Sequence, residues 1–450
     1  MDKISFLKKY EETVAACNRC GFCTSYCPTY NATGNEIHSP RGRNQMVRAL
    51  IEGKVVDPVQ AKESIESCLL CGECTSICFS EVPTAELMVE ARNFLNKSMG
   101  VPVFLKFFLT YVLPFPRRYY WMLKISFTVK RLGIVAFLKK INLLQKIAPT
   151  LSAADDLMPR VPHRFLSDHK NVQIFFEQNW AKQGHARVLA QKKEGGLSPA
   201  LIQRPKVALM PLCGSQYLNP ESGLALIGLL KRLRVDFVIP EALCCGLPAA
   251  SYGVTERVRH MAQENIRLME RGHFDSLLVD DSSCGAHFQD YPKYLQDDAR
   301  WMKRAHDLSL KVKDLSQFLI QRGIKDHLKM TPWEGGLVAY HDPCKAQYAQ
   351  KLINPPRELL FSIPRLQLVT VSDSDQCCGG GGTYSFVHPE ISRDVLSAKI
   401  KNIVASGCQI VVTSSASCLI QLRAGLLQSK SKIEAVHLSS FLLRALEKRK

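Results

Sequence analysis

Residues 17–28 read CNRCGFCTSYCP, and residues 68–79 repeat the pattern as CLLCGECTSICF. Each run is Cys-x2-Cys-x2-Cys-x3-Cys, followed by Pro28 in the first and Phe79 in the second. Three cysteines at three-residue intervals let a tightly turning loop wrap three corners of an Fe4S4 cube. The fourth diverges and supplies a corner of the other cube in two-cluster proteins. The spacing therefore places Cys17, Cys20, Cys23 and Cys78 on one cluster, and Cys68, Cys71, Cys74 and Cys27 on the other. Zinc is the competing ligand, but tetrahedral zinc sites use two separated pairs, not a triplet plus a fourth cysteine, twice.

Upstream, Ile4, Leu7, Val14 and Ala15 fall at helical spacing and predict a short amphipathic helix over 2–16. Between the runs lies a polar, turn-rich stretch with Ser39-Pro40 and Gly42, and a helix is expected from Pro83 to Leu95. Residues 91–154 contain no Asp or Glu, yet carry basic residues from Arg92 to Lys146 among Phe104, Phe107, Phe108, Tyr119, Tyr120 and Trp121. The longest uncharged run there, Phe107 to Pro116, is about half of the ~20 residues a spanning helix needs. Residues 160–205 are polar and mixed, and read as a linker.

From Lys206 the chain alternates β-branched runs with helical stretches, the pattern of βαβ units and a parallel sheet. It also repeats. The first copy is KVALMPLC ending at Cys213, a helix around 221–234, VDFVIP, Cys244-Cys245-Gly246, a helix around 255–271, and SLLVDDSSC ending at Cys284. The second is GLVAYHDPC ending at Cys344, a short helix around Pro356–Leu360, LQLVTV, Cys377-Cys378-Gly379, a helix around 390–405, and QIVVTSSASC ending at Cys418. The intervals agree, with 30 then 38 intervening residues in one copy and 32 then 39 in the other. Two tandem modules explain this most economically.

Vicinal cysteines form a disulfide only under strain, whereas two thiolates on neighbouring residues can hold two irons of one cluster. Cys213, Cys244, Cys245 and Cys284 are thus further candidate ligands, as are Cys344, Cys377, Cys378 and Cys418, at strand ends where α/β folds bind ligands. The alternative is that these cysteines only pack. Cys408 stands outside both patterns and reads as a small core residue. His341 could contact a cluster or a substrate, or stabilise a turn. Gly379–Gly382 lacks the GxGxxG and GK[ST] patterns, so close backbone approach to a cluster is the better use. Lacking a dinucleotide fingerprint elsewhere, the chain is expected to bind no flavin or NAD of its own.

The composition fits a globular protein of two or three domains: 450 residues, 46% apolar and 22% charged. Seventeen cysteines in a chain this long, opening MDKISFLKKYEETVAAC with no apolar stretch before a cleavage site, suggest reduced, metal-bound thiols in the cytosol. The formal charge of +18 counts every cysteine as neutral, and each four-iron cluster with four thiolates removes roughly two charges. No recognition helix or base-stacking module is found, so nucleic acid is not an expected partner.

CNRCGFCTSYCPTY with SPRGR, then CLLCGECTSIC, resembles the iron–sulfur subunit of bacterial glycolate oxidase. VALMPLCGSQY, ALCCGLPA, HDPCKAQYAQ, PRELL, QCCGGGGTYS and VTSSASCLIQLRAGL resemble its two cysteine-rich CCG domains. The likeness is shared more loosely with lactate-utilisation iron–sulfur proteins, the anaerobic glycerol-3-phosphate dehydrogenase cluster subunit and heterodisulfide reductase. It implies that an FAD-binding partner oxidises a 2-hydroxy acid such as glycolate or lactate, and that this chain carries the electrons to a quinone or another acceptor. A catalytic, heterodisulfide-reductase-like subunit is the alternative. The fullest CCG motif ends CxxC, and Asp281 and Ser415 stand at the first of those positions.

The expected fold is α+β and multi-domain. A helical two-cluster ferredoxin-type domain (1–98) precedes a basic apolar helical segment and linker (99–205). Two Rossmann-like α/β cysteine-rich modules follow (206–330 and 331–450). Two [4Fe-4S] clusters are expected, with further ones in the CCG modules if their cysteines bind. The chain is expected in the cytoplasm, its basic stretch lying against a membrane or a quinone-linked membrane subunit, or buried against the partner.

Overall fold

The computed structural model describes residues 9–54, 57–176 and 207–447. The expectations for Ile4 and Leu7, and for the linker from residue 177 on, lie outside the described residues.

Prolines set the starts of the N-terminal helices. Pro28, Pro40 and Pro58 open α1 (Pro28–Thr33), α2 (Pro40–Ile51) and α3 (Pro58–Glu66). A first turn has no use for the missing N–H and gains from the preset φ. The side chains of Ser39 and Asp57 cap α2 and α3 by accepting from the amides of Gly42 and Val59. With α4 (Thr84–Met99) these helices bury Val14, Val47, Ile65, Leu87 and Met88 in one small core.

The acid-free stretch folds onto the first α/β module. Leu109 and Leu113 pack with Ala249, Ala250 and Met261. From α5 (Pro116–Arg131), Tyr119 and Tyr120 meet Tyr217 and Phe165 edge-on. Acids from just beyond the stretch answer its charge: Lys124 pairs with Asp168 at 2.5 Å, and Lys139 with Asp155 at 3.2 Å. Its outer face keeps Phe104, Trp121, Phe137 and Ile147 more than half exposed. Among the described residues no helix is long and apolar enough to cross a membrane.

Two four-stranded parallel sheets follow. The first has β1 (Val207–Met210), β2 (Phe237–Val238), β3 (Ser276–Val279) and β4 (Val312–Asp314) in the order β2-β1-β3-β4. The second has β5 (Val338–Tyr340), β6 (Leu368–Val369), β7 (Ile410–Thr413) and β8 (Glu434–His437) in the order β6-β5-β7-β8. Both faces of each sheet are covered, which is why the strands are nearly continuous apolar runs. Val207 and Leu209 point into a core shared with Val338, Tyr340 and Val412, whereas Ala208 and Met210 point into a layer of the first module alone. The connecting helices are α6 (Pro220–Arg232), α7 (Thr255–Gly272), α8 (Ser282–Gln289), α9 (Asn354–Phe361), α10 (Pro389–Ala405), α11 (Ala416–Gln428) and α12 (Leu438–Leu446). Packing of α6 against α12 ties the modules together.

The edge strands β4 and β8 were not expected. Their sequences, VKD and EAVH, are too short and too charged to show a periodicity.

Candidate iron–sulfur sites

Both N-terminal cysteine loops wind the same way. The residue before the second cysteine and the glycine after it are left-handed in each: Arg19 (φ 58°) and Gly21 (φ 81°), Leu70 (φ 54°) and Gly72 (φ 90°). This turns backbone amides toward sulfur, and Leu70 N–H donates to Cys68 Sγ at 3.4 Å. Burial pushes the Cys23 thiol up to about 11, reinforced by Cys17, Cys78 and Cys20. Burial raises Cys74 as well, reinforced by Cys68, Cys27 and Cys23. Cys78 thus stands near Cys23, and both Cys27 and Cys23 stand near Cys74. All seventeen cysteines are free thiols.

Arg43 is the residue that sequence reasoning missed. It is fully buried, and its guanidinium donates to Cys27 Sγ at 3.6 Å, Thr29 Oγ1 at 2.9 Å, Ser67 Oγ at 3.0 Å and the Ser64 carbonyl at 2.9 Å. Burial works against its charge, but Cys68 and Cys27 outweigh that and raise its pKa overall. A buried cation needs an anionic partner, and a four-iron cluster held by four thiolates is one. The donor set and this counter-charge fit such a cluster. Arg92 plays the companion role on the backbone, donating to the carbonyls of Ile65, Glu66 and Cys68. The only signal for Arg43 was its place in SPRGR between the two runs.

The structure also brings each later cysteine set together. Cys213 and Cys344 follow β1 and β5 and open matching π-helical turns, Gly214–Leu218 and Lys345–Ala349, a feature found mostly at functional sites. Each doublet is followed by a left-handed glycine, Gly246 (φ 96°) or Gly379 (φ 81°). In the first module Cys245 Sγ and Cys284 Sγ lie 3.4 Å apart, and Cys213 and Cys244 flank this pair. Contacts with the Cys244 and Cys284 thiols pull Cys245 well below the usual thiol range. In the second module the contacts run Cys344 to Cys377 to Cys378 to Cys418. The metal-binding atoms of His341, Cys378 and Cys418 lie within 4.8 Å of one another. At Gly380 a Cβ would come 3.4 Å from Cys378 Sγ and 2.8 Å from Ser417 Oγ, so the backbone does approach the thiols closely there. Cys408 is buried in the apolar layer of the second module.

Asp281 and Ser415 meet in the seam between the modules. Asp281 Oδ1 accepts from Ser283 N at 2.8 Å and Cys284 N at 3.2 Å, capping α8. Its Oδ2 accepts from Ala416 N at 2.6 Å and Ser415 Oγ at 3.4 Å, at the start of α11. Ser282 faces Ser414 at 2.8 Å and Ser283 faces Ser415 at 3.1 Å, Oγ to Oγ, so the two strand-to-helix turns meet across the seam.

The N-terminal part touches the second site directly. Burial pushes Cys71 well up, and Cys344 is the next contributor. Leu69, Cys71, Cys377 and Tyr384 share one apolar cluster, and Tyr384 Oη donates to the Ser67 carbonyl at 3.0 Å. The first set instead opens on a cleft of about 450 Å³ above the carboxyl ends of β1 and β2. Cys213 and Cys244 line it, with Tyr119, Tyr120, Trp121 and Gln216.

Comparison with known proteins matches this layout. A 4Fe-4S dicluster domain model covers residues 13–82, and a cysteine-rich (CCG) domain model covers 207–289 and 338–423. The probable glycolate oxidase iron–sulfur subunit of Bacillus subtilis (strain 168) is 28% identical over 439 residues, 95% of this chain and 93% of that protein. The glycolate oxidase iron–sulfur subunit of Escherichia coli (strain K12) is 26% identical over 447 residues, 97% of this chain and 95% of that protein. Lactate utilization protein A of Exiguobacterium sp. (strain ATCC BAA-1283 / AT1b) is 30% identical over 242 residues, 53% of this chain and 97% of that protein. The chain belongs to the family of glycolate oxidase iron–sulfur subunits and lactate utilization A proteins. As a member of this family it is an iron–sulfur protein, a helical dicluster region followed by two parallel α/β CCG modules.

Proposed function

We propose that the chain is the electron-transfer subunit of a flavin-dependent 2-hydroxy-acid oxidoreductase of the glycolate or lactate type. It takes electrons from an FAD-binding partner and delivers them to a quinone or another acceptor. What supports this is that Cys78 stands near Cys23 and Cys27 near Cys74, with the buried Arg43 donating to Cys27 Sγ. Cys17, Cys20, Cys23 and Cys78 would hold one [4Fe-4S] cluster, and Cys68, Cys71, Cys74 and Cys27 the other. Clusters bound there supply one-electron chemistry between a two-electron flavin and the acceptor.

The chain's own residues do the rest. Arg43 offsets negative charge between the sets, and Arg92 ties down the loop that carries Cys68. Contact of Cys71 with Cys344 and Cys377 extends the line of sulfurs into the second module. The aromatic walls of the cleft beside Cys213 and Cys244 suit a quinone ring as acceptor. We take the chain as four domains, 1–98, 99–205, 206–330 and 331–450, with each α/β module a Rossmann-like sheet. Disulfide reduction at a CCG-bound cluster is disfavoured, because Asp281 and Ser415 are engaged in bridging two helices.

Anaerobically purified chain should hold at least ~8 irons and as many sulfides. It should not oxidise glycolate or lactate alone, and should couple to a dye once the co-purifying flavoprotein is added. Cys20→Ser should lose a cluster and this coupling. Stoichiometric zinc without labile sulfide would overturn the reading.

A further inference from the structure

At the end of its first strand the second module carries an imidazole that the first module lacks there. His341 follows β5 directly, three residues before Cys344, and the matching residue before Cys213 is Met210. The His341 side chain is buried with the Ser374 backbone carbonyl facing its ring, and neither ring nitrogen makes a hydrogen bond of good geometry. A buried polar atom left without a good partner is costly, so such a nitrogen is a candidate for a ligand. The ring stands within 4.8 Å of the Cys378 and Cys418 sulfurs, atom to atom, the dimension of a metal site. Its neighbour Asp342 is not available, being held by Arg357 through contacts of 2.6 and 2.7 Å.

We propose that His341 is an iron ligand of the second module, completing with its imidazole a donor set of Cys344, Cys377, Cys378 and Cys418. The module lacks a cysteine at position 415, after β7, and His341 supplies the fifth donor from the same edge of the sheet, at the carboxyl end of the neighbouring parallel strand β5. Coordination accounts for one orphan nitrogen. The Ser374 backbone carbonyl faces the ring and would take the other N–H, the arrangement by which metal-bound histidines fix their tautomer. The first module's buried histidine, His287, also leaves Nε2 without a partner and stands near Cys245, but among the described residues it belongs to no close group of three metal-binding side chains. His287 comes from α8 and stands edge-on to Tyr291 and Tyr294 at 5.8 and 5.3 Å. A neutral imidazole in place of a thiolate makes the site less negative and raises its reduction potential. This inference rests on the proposed function only in taking the bound metal to be an iron–sulfur cluster.

The test is pulsed EPR of the full chain grown with 15N-histidine, beside His341→Asn and His341→Cys, with iron and sulfide counted in each. The parent should show histidine-nitrogen coupling on a reduced signal that Cys378→Ser removes. His341→Asn should lose the coupling. His341→Cys should also lose it while keeping the iron, with the potential shifted negative. Module iron without nitrogen coupling, coupling that survives His341→Asn, or no iron beyond the two N-terminal clusters would each overturn the assignment. Loss of labile sulfide from the N-terminal loops would instead overturn the proposed function, a separate result.

Discussion

The two cysteine-rich modules share strand order, π-helical turns, cysteine doublets and left-handed glycines, yet their thiols meet different surroundings. The second set is enclosed: Cys377, Cys378 and Cys418 are buried, and Leu69 and Cys71 of the dicluster region close it off. The first set has Cys245 and Cys284 buried but shows Cys213 and Cys244 to a cleft walled by the acid-free segment. One backbone thus encloses its thiols in one copy and leaves two of them accessible in the other. What covers the strand ends decides which.

Cysteine replacement should test this contrast most severely. Cys378→Ser is expected to remove iron beyond the N-terminal clusters and to lower coupled turnover to background, measured as iron per chain and dye reduction with the flavoprotein. Cys245→Ser should remove iron as well while leaving electron entry into the second module intact. Identical iron and spectra for both variants and the parent would reduce the likeness of the modules to one of fold.

The seam comes next. Asp281→Ala removes the cap of α8 and the bond to the start of α11 together, so a loss of about 2–3 kcal/mol is expected in denaturant unfolding. Ser415→Ala should cost less than about 1 kcal/mol. Equal losses would mean that the seam is not organised by the carboxylate.

The smallest effect is expected in the cleft. Ala242 lines it, and Ala242→Trp should lower the rate with a short-chain quinone relative to a water-soluble dye by about tenfold, ~1.4 kcal/mol in transition-state stabilisation. An unchanged ratio would place the acceptor elsewhere.

Much of this was legible in sequence because clusters impose short-range rules. A loop that wraps a cube needs cysteines at fixed intervals, so the eight N-terminal cysteines show themselves one residue at a time. The helices at 220–232, 255–272 and 389–405 announced themselves through apolar periodicity within their own lengths. Arg43 did not, because one arginine in a polar stretch looks solvated until two other segments, at Thr29 and at Ser64–Ser67, close over it. Asp281 could be read only as a missing cysteine. Its second partner, Ala416, is 135 residues away.

The sequence by itself determined the iron–sulfur chemistry, the duplication of the α/β unit and the positions of the sixteen patterned cysteines. These depend on residue type and local spacing alone. Only the tertiary structure decided that Cys71 lies against the second module, that the first opens on a cleft, and that His341 points a buried imidazole at two thiols. Those facts arise from packing between segments far apart in the chain. Burial and contact there depend on which surfaces happen to cover one another, and no local pattern records that.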